Sequence, residues 1–185
     1  MPSTAPLDWL LQRLAQLVTA ATDSLEAEFP NGIGDWQQEV SRQLARYHAA
    51  AMLAGANVGT LSDAMRVAVT TDLATQLRFL GKFALVIQDG AEWQAGWNSR
   101  AQMYSESIKT PYWRGATKML ALPAMPGDGT SQCLTRCRCV WDVQALEGDG
   151  NYDAYWLLSA AEDCQTCTQR GRDWAPLKIR NGEVV

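Results

Sequence analysis

The chain has 185 residues, 47% of them hydrophobic and 19% charged, with 14 glycines and 7 prolines; such a composition builds a core and excludes wholesale disorder, collagen-like repeats and a large multidomain machine. A net charge of −4 argues against a protein that coats DNA regardless of sequence, because phosphate neutralisation supplies most non-specific affinity. The charge is nevertheless banded: residues 100–140 carry six basic and two acidic side chains, whereas 141–163 carry six acidic and no basic ones.

Met1-Pro2-Ser3-Thr4-Ala5-Pro6 offers no basic n-region, so a secretory leader is not expected, and no apolar run approaches the roughly 20 residues of a membrane span. Leu7, Leu10, Leu11, Leu14, Leu17, Val18 and Leu25 recur at three- and four-residue steps and predict one amphipathic helix from about residue 5 to 28. Pro30-Asn31-Gly32-Ile33-Gly34 stops it. Asp35 is the expected N-cap of a second helix that carries Trp36, Val40, Leu44, Tyr47, Ala51 and Met52 on one face and ends near Gly55. Ser62 or Asp63 caps a third, through Leu73, Leu77, Leu80 and Val86 to Asp89-Gly90. A fourth is expected from Glu92 to about Ser107 on the spacing of Trp93, Trp97, Ala101 and Tyr104. Pro111 fits the first turn of a short fifth that runs through Met119. Because tryptophan combines a large apolar area with an N–H that wants a partner, Trp36, Trp93 and Trp97 are expected to be divided between the core and a partner face.

At Leu122-Pro123-Ala124-Met125-Pro126-Gly127-Asp128-Gly129 two prolines and two glycines forbid helix and mark a boundary between a helical domain, 1–121, and a cysteine-rich domain, 122–185. Beyond it Cys139-Val140-Trp141-Asp142-Val143 and Tyr155-Trp156-Leu157-Leu158 alternate, with the turn residues Glu147-Gly148-Asp149-Gly150-Asn151 between them, which predicts a β-hairpin. The tail from Trp174 to Ile179 adds a short extended segment. The expected fold class is therefore α+β: a mainly helical front followed by a small zinc-ribbon-like hairpin.

All five cysteines lie in this last part, as Cys133, Cys137 and Cys139 before the hairpin and Cys164 and Cys167 after it. With the turn centred on Asp149, antiparallel pairing sets Cys139 opposite Ser159, and a tight Cys-x2-Cys turn then folds back to face Cys137 and Cys139. Tetrahedral zinc wants four such thiolates, and a full thiolate set leaves no position for a catalytic water, so the metal is expected to be structural. Cys164 and Cys167 are the surest ligands. One of Cys133, Cys137 and Cys139 is surplus, and the spacing does not say which. A disulfide or redox pair and unliganded buried thiols are the rival readings.

No catalytic constellation competes with this, so an enzyme is not expected. The single histidine, His48, reads as a helix-face residue without a chemical role, and Asp128 and Asp149, each flanked by glycines, read as turn formers. The aromatic and basic stretch Tyr112–Lys118 reads as helix surface, with a nucleic-acid or partner face as the sharper alternative.

The run from Leu122 to Trp141, followed by Trp156, Cys164-Gln165-Thr166-Cys167 and Trp174-Ala175-Pro176-Leu177, resembles the C-terminal region of phage minor head proteins, the head-morphogenesis proteins similar to the F protein of phage Mu. Arg100-Ala101-Gln102-Met103-Tyr104 and the helical front from Trp36 to Gly55 are similar to that kind of protein too. The most specific part is the Cys137-Arg138-Cys139 step with its following Trp141. The resemblance implies a structural virion protein of low copy number, associated with the portal protein or the capsid interior, found in the head and, during assembly, in the host cytoplasm. It carries over no catalytic residue, only the cysteines as a structural cluster. A weak contact with packaged DNA would use Arg114, Lys118, Arg136 and Arg138. The alternative function is a zinc-ribbon nucleic-acid-binding protein, drawing also on Arg170 and Arg172.

Overall fold

The leucine stripe at the front of the chain forms α1 (Ala5–Glu28), which buries Leu7, Leu10, Leu14, Val18, Thr22 and Leu25 along one face, as a 3.6-residue period requires. The computed structural model describes residues 4–159 and 164–185. Met1, Pro2 and Ser3 of the leader reading and Glu162 and Asp163 of the acidic band lie outside the described residues. After the turn at Pro30, α2 (Ile33–Ala56) runs back along α1 with Trp36, Val40, Leu44, Tyr47, Ala51 and Met52 buried. Its N-cap is Gly32, at φ 80°, and not Asp35. Asp35 instead lies in the first turn, where a carboxylate meets the positive end of the helix dipole. Between the two helices Thr22 Oγ1 donates to the Val18 carbonyl at 2.8 Å and accepts from Trp36 Nε1 at 3.1 Å, so a buried hydroxyl satisfies a buried indole.

Ser62 caps α3 (Asp63–Gln88) by accepting from the Met65 N–H, and Val69, Leu80, Phe83, Ala84 and Ile87 turn inward. The fourth helix is shorter than its spacing implies. α4 covers only Gly96–Gln102, and a 3-10 turn, Ser105–Ile108, leads into α5 (Lys109–Ala116). Trp93 precedes α4. Its four-residue spacing from Trp97 reflects ring packing, 5.2 Å between the two centroids and 5.8 Å from Trp93 to Phe29, not a helical turn. Trp36 and Trp97 are buried and Trp93 is half-buried, so the indoles face the core; the exposed indole among the described residues is Trp9. α5 stops at Ala116 and does not reach Met119, because Lys118 and Met119 both take positive φ, 55° and 61°.

The C-terminal part is an antiparallel meander of four strands in sequence order: β1 (Val140–Ala145), β2 (Tyr152–Leu157), β3 (Leu177–Arg180) and β4 (Glu183–Val184). The hairpin is as read, but its register, Trp141 opposite Trp156 and Val140 opposite Leu157, is one residue off the expected one; carried one step on, Cys139 faces Leu158 and not Ser159. A nine-residue helix between the second and third strands was not anticipated either. The segment after β2 forms α6 (Gln165–Asp173) before the chain returns as β3. On the inner face Trp141, Trp156 and Trp174 make a box with centroids 5.1 to 5.7 Å apart. The hinge loop is pinned to this box: Trp141 Nε1 donates to the Ala124 carbonyl at 2.9 Å, and the Asp128 carboxylate accepts from the Met125 and Thr130 N–H groups, the turn-forming role expected of it. The buried apolar side chains on the two sides of the hinge form one cluster, from Leu7 to Ile179. Among the described residues no helix is long and apolar enough to cross a membrane.

α2 is the centre of the helical part, and it approaches α5 closely enough to exclude side chains. A Cβ on Gly115 would lie 2.5 Å from the Met52 carbonyl oxygen, and one on Gly55 would overlap the Tyr112 carbonyl oxygen. Both neighbours are backbone and cannot swing aside. Gly55→Ala should therefore destabilise the fold by about 1–3 kcal/mol despite the better helix propensity of alanine. Gly34, also in α2, has nothing within 4 Å of its would-be Cβ, and Gly34→Ala should be neutral or stabilising by up to about 1 kcal/mol. Urea midpoints of the two variants provide the comparison; equal midpoints would mean that the α2–α5 crossing can relax.

Candidate metal centre

The hairpin delivers the two cysteine groups to one place. Cys133 sits in the turn that opens a short 3-10 segment, Leu134–Arg136; Cys137 follows it and Cys139 immediately precedes β1. The partner cysteines do not form the tight turn expected of Cys-x2-Cys. They start a helix: Cys164 is the N-cap of α6, extended at φ −73° and ψ 156°, and its sulfur accepts from the Cys167 N–H at 3.5 Å. Sulfur thus does what a hydroxyl or carboxylate does at other caps.

All five predicted site residues converge. Cys133 Sγ lies 3.6 Å from Cys164 Sγ and 3.6 Å from Cys167 Sγ, and Cys137 Sγ lies 3.7 Å from Cys167 Sγ. None is disulfide-bonded, since a disulfide would bring two sulfurs to about 2.05 Å. At the ~2.3 Å zinc–sulfur distance, tetrahedral geometry sets neighbouring sulfurs about 3.8 Å apart, and these three separations are close to that for three of a tetrahedron's six edges. Among the described residues the donors are all sulfur, and two overlapping groups can hold an ion: Cys133, Cys164 and Cys167, and Cys137, Cys139 and Cys167. Cys167, fully buried, belongs to both.

Ligation needs thiolates, and the cluster is prepared to supply them. A hydrogen bond from the Cys139 side chain holds the Cys137 thiol down at about 5. At Cys164 burial, the largest single influence, pushes upward, but hydrogen bonds from the backbone and side chains of Cys167 and Cys133 together outweigh it and bring the thiol to about 7. Cys139, the donor to Cys137, is raised in exchange; burial raises Cys133 and Cys167. The five titrate as a set, and one sulfur from each sequence group gives up its proton first.

Two side chains that the sequence reading did not place at the cluster, Lys109, which it did not name, and Arg170, which it read only as a possible nucleic-acid contact, flank it. Lys109, buried at the start of α5, donates to the Cys137 carbonyl at 3.2 Å and pairs with Glu106. Arg170, one helical turn after Cys167, reaches Thr130 Oγ1 at 2.8 Å and stacks its guanidinium 5.2 Å from the Trp156 ring centroid and 5.4 Å from that of Trp174. The signal for Arg170 was its i+3 spacing from Cys167; nothing in the sequence near Lys109 points to a cysteine 28 residues away. A cleft of about 650 Å³ opens beside the cluster, lined by Asp8, Lys109, Arg136, Cys137, Arg138 and Cys139 among others. The remaining cations read as a possible nucleic-acid face are placed differently: Arg114 pairs with Asp72 at 3.1 Å and Lys118 lies over the Tyr152 ring.

No family model, curated protein or solved structure matches the chain.

His48 is a core residue. Ser107 Oγ donates to the Tyr104 carbonyl at 2.7 Å, which leaves its lone pair to accept from His48 Nε2–H at 2.9 Å; Nδ1 has no partner. Burial pulls the imidazole down to about 4 from an ordinary 6.5. Between those values the unfolded chain binds a proton that the folded chain refuses, so this contribution to stability is complete above pH 6.5 and is lost as pH falls toward 4, on the order of 3 kcal/mol in all. His48→Gln, which keeps an N–H donor but does not titrate, should flatten the fall in urea midpoint between pH 6.5 and 4. An unchanged slope would assign it to carboxylates instead.

Proposed function

We propose that this chain is a structural protein whose C-terminal sheet is clipped by one zinc ion, held by Cys133, Cys137, Cys164 and Cys167, and that it serves as a minor protein of a tailed-phage head, seated against the portal protein or the capsid interior. The observation that carries the metal half is the row of sulfur separations from Cys164 through Cys133 and Cys167 to Cys137, each 3.6 or 3.7 Å. Four thiolates complete the coordination of zinc, so the ion acts as a cross-link and not as a catalyst. A small sheet with short strands is marginal alone, and the free energy of ligation stabilises it. The head assignment rests on the residues that resemble the minor head proteins, from Leu122 to Trp141 and from Cys164 to Leu177. A non-catalytic role agrees with the surroundings of His48, which is sealed in the core.

Purified, reduced protein should carry one zinc per chain, and Cys167→Ser should carry none. Chelation should quench the fixed environment of the Trp141, Trp156 and Trp174 box before helical circular dichroism declines. Zinc content well below one equivalent in chelator-free preparations would remove the metal half of the proposal.

The head assignment has its own test. Mass spectrometry of assembled particles should find the protein at low copy number, and tagged protein should bring down portal protein. Contact through the cleft-lining Arg136 and Arg138 should weaken as salt rises, whereas an apolar contact should persist. Particles that lack the protein, together with a portal that never co-purifies with it, would end this assignment.

A further inference from the structure

Zinc uses four sulfurs, and five are gathered. The layout of the five is specific: two triads share Cys167, and in each triad the three sulfurs lie within 4.8 Å of one another. One triad, Cys133, Cys164 and Cys167, sits at the half-buried side; the other, Cys137, Cys139 and Cys167, is wholly buried. At a metal–sulfur distance of ~2.3 Å a planar three-thiolate ion spaces its sulfurs about 4.0 Å apart, against about 3.8 Å for a tetrahedron. The contacts of 3.6 and 3.7 Å in these triads lie within a few tenths of an ångström of either spacing. Two triangles that meet at one corner are the donor arrangement of two ions bridged by one thiolate.

The chemistry of the donors selects the ion. Among the described residues no carboxylate or imidazole joins either triad, and thiolate-only sets select zinc, Cu(I) and similar soft ions. Five sulfurs shared between two ions give three to each, too few for zinc but a full set for three-coordinate Cu(I). The charge is also compatible. Five thiolates and two monovalent ions leave three negative charges, and Lys109, Arg136 and Arg138 line the adjoining cleft, with Lys109 already on the Cys137 carbonyl.

We propose that the cysteine cluster is a two-ion centre for Cu(I), with Cys167 as the bridging thiolate and Cys139 completing the buried triad. The proposal rests on the reading of the cluster as a metal centre, and it gives the thiol outside the zinc set a role. No electron is transferred: copper enters as Cu(I), metal–sulfur bonds form, and the displaced thiol protons leave to solvent.

Anaerobic titration of the reduced full-length protein with Cu(I), against a competing chromogenic Cu(I) chelator, reads the stoichiometry directly. Wild type should saturate at two Cu(I) per chain, and Cys139→Ser should saturate at one while still binding one zinc. The zinc content of that variant also reports that its fold is intact, and Cys139→Ala should behave alike. Wild-type saturation at one Cu(I), or two Cu(I) retained without Cys139, would overturn the two-ion centre while leaving the zinc reading in place. Absence of both metals from wild type would overturn both.

Discussion

Five sulfurs have to meet at Cys167 although they come from two segments separated by a hairpin, and that convergence sets the order of everything in the C-terminal part. Antiparallel pairing of β1 with β2 returns the chain to its starting point; the cap of α6 then turns Cys164 and Cys167 toward Cys133 and Cys137. Four strands of two to six residues bury little area by themselves. What fixes them is the Trp141, Trp156 and Trp174 box on one side and the sulfur cluster at the end, with Arg170 touching both the box and the hinge. Aromatic pairs contribute about 0.5–1.5 kcal/mol each beyond their area, whereas apparent zinc–thiolate binding is worth roughly 10–16 kcal/mol, so an ion bound at the cluster, as proposed, would outweigh the ring contacts in holding the sheet.

The helical part depends on a different constraint, backbone contact. Helices usually meet through side chains at 8–10 Å between axes. At the α2–α5 crossing Gly55 and Gly115 remove those side chains, and that close approach helps seat the 3-10 turn against α2, with Ser107 within reach of His48. The cost is a buried imidazole with an unpartnered Nδ1. Such a group persists because it stays neutral, which is the state that burial itself enforces.

Periodic features were legible in the sequence and chemically local ones were not. The stripes of α1, α2 and α3 put so many leucines and aromatics on one face that their positions could hardly be mistaken, and the Asp-Gly turn fixed the hairpin to within one residue. The one-residue error arose because the turn is not symmetric about Asp149: the Leu146 N–H donates to the Asn151 carbonyl, which sets the centre between Gly148 and Asp149. Trp93 misled because tertiary ring packing imitated helical spacing. α6 was missed because cysteine is not among the usual capping residues, so Cys164-x2-Cys167 read as a ligand turn and not as a helix start. That the thiols gather at one end of the hairpin was legible, although the expected facing of Cys137 and Cys139 left out Cys133, which lies beside Cys164; Lys109 could not be read, since its partner is a backbone carbonyl and carries no sequence signal.

Lys109 also ties the two parts together. Its ammonium accompanies Glu106 and donates to the carbonyl of Cys137, one of the proposed zinc ligands. Glu106 shares its 3-10 turn with Ser107, and Ser107 bonds His48 in the middle of α2. A connected series of polar contacts therefore runs from the sulfur cluster into the centre of the helical core, beside the continuous apolar cluster that already spans the hinge. If the cluster holds the proposed ion, its loss would loosen Cys137 and with it one acceptor of the Lys109 ammonium, which is largely shielded from water. Lys109 keeps its ion pair with Glu106, so release of the proposed ion would be felt first as a weakened Lys109–Cys137 contact at α5 and its 3-10 turn, before α1 or α3. Through this connection the cysteine cluster bears on the helices without contacting them through apolar packing alone.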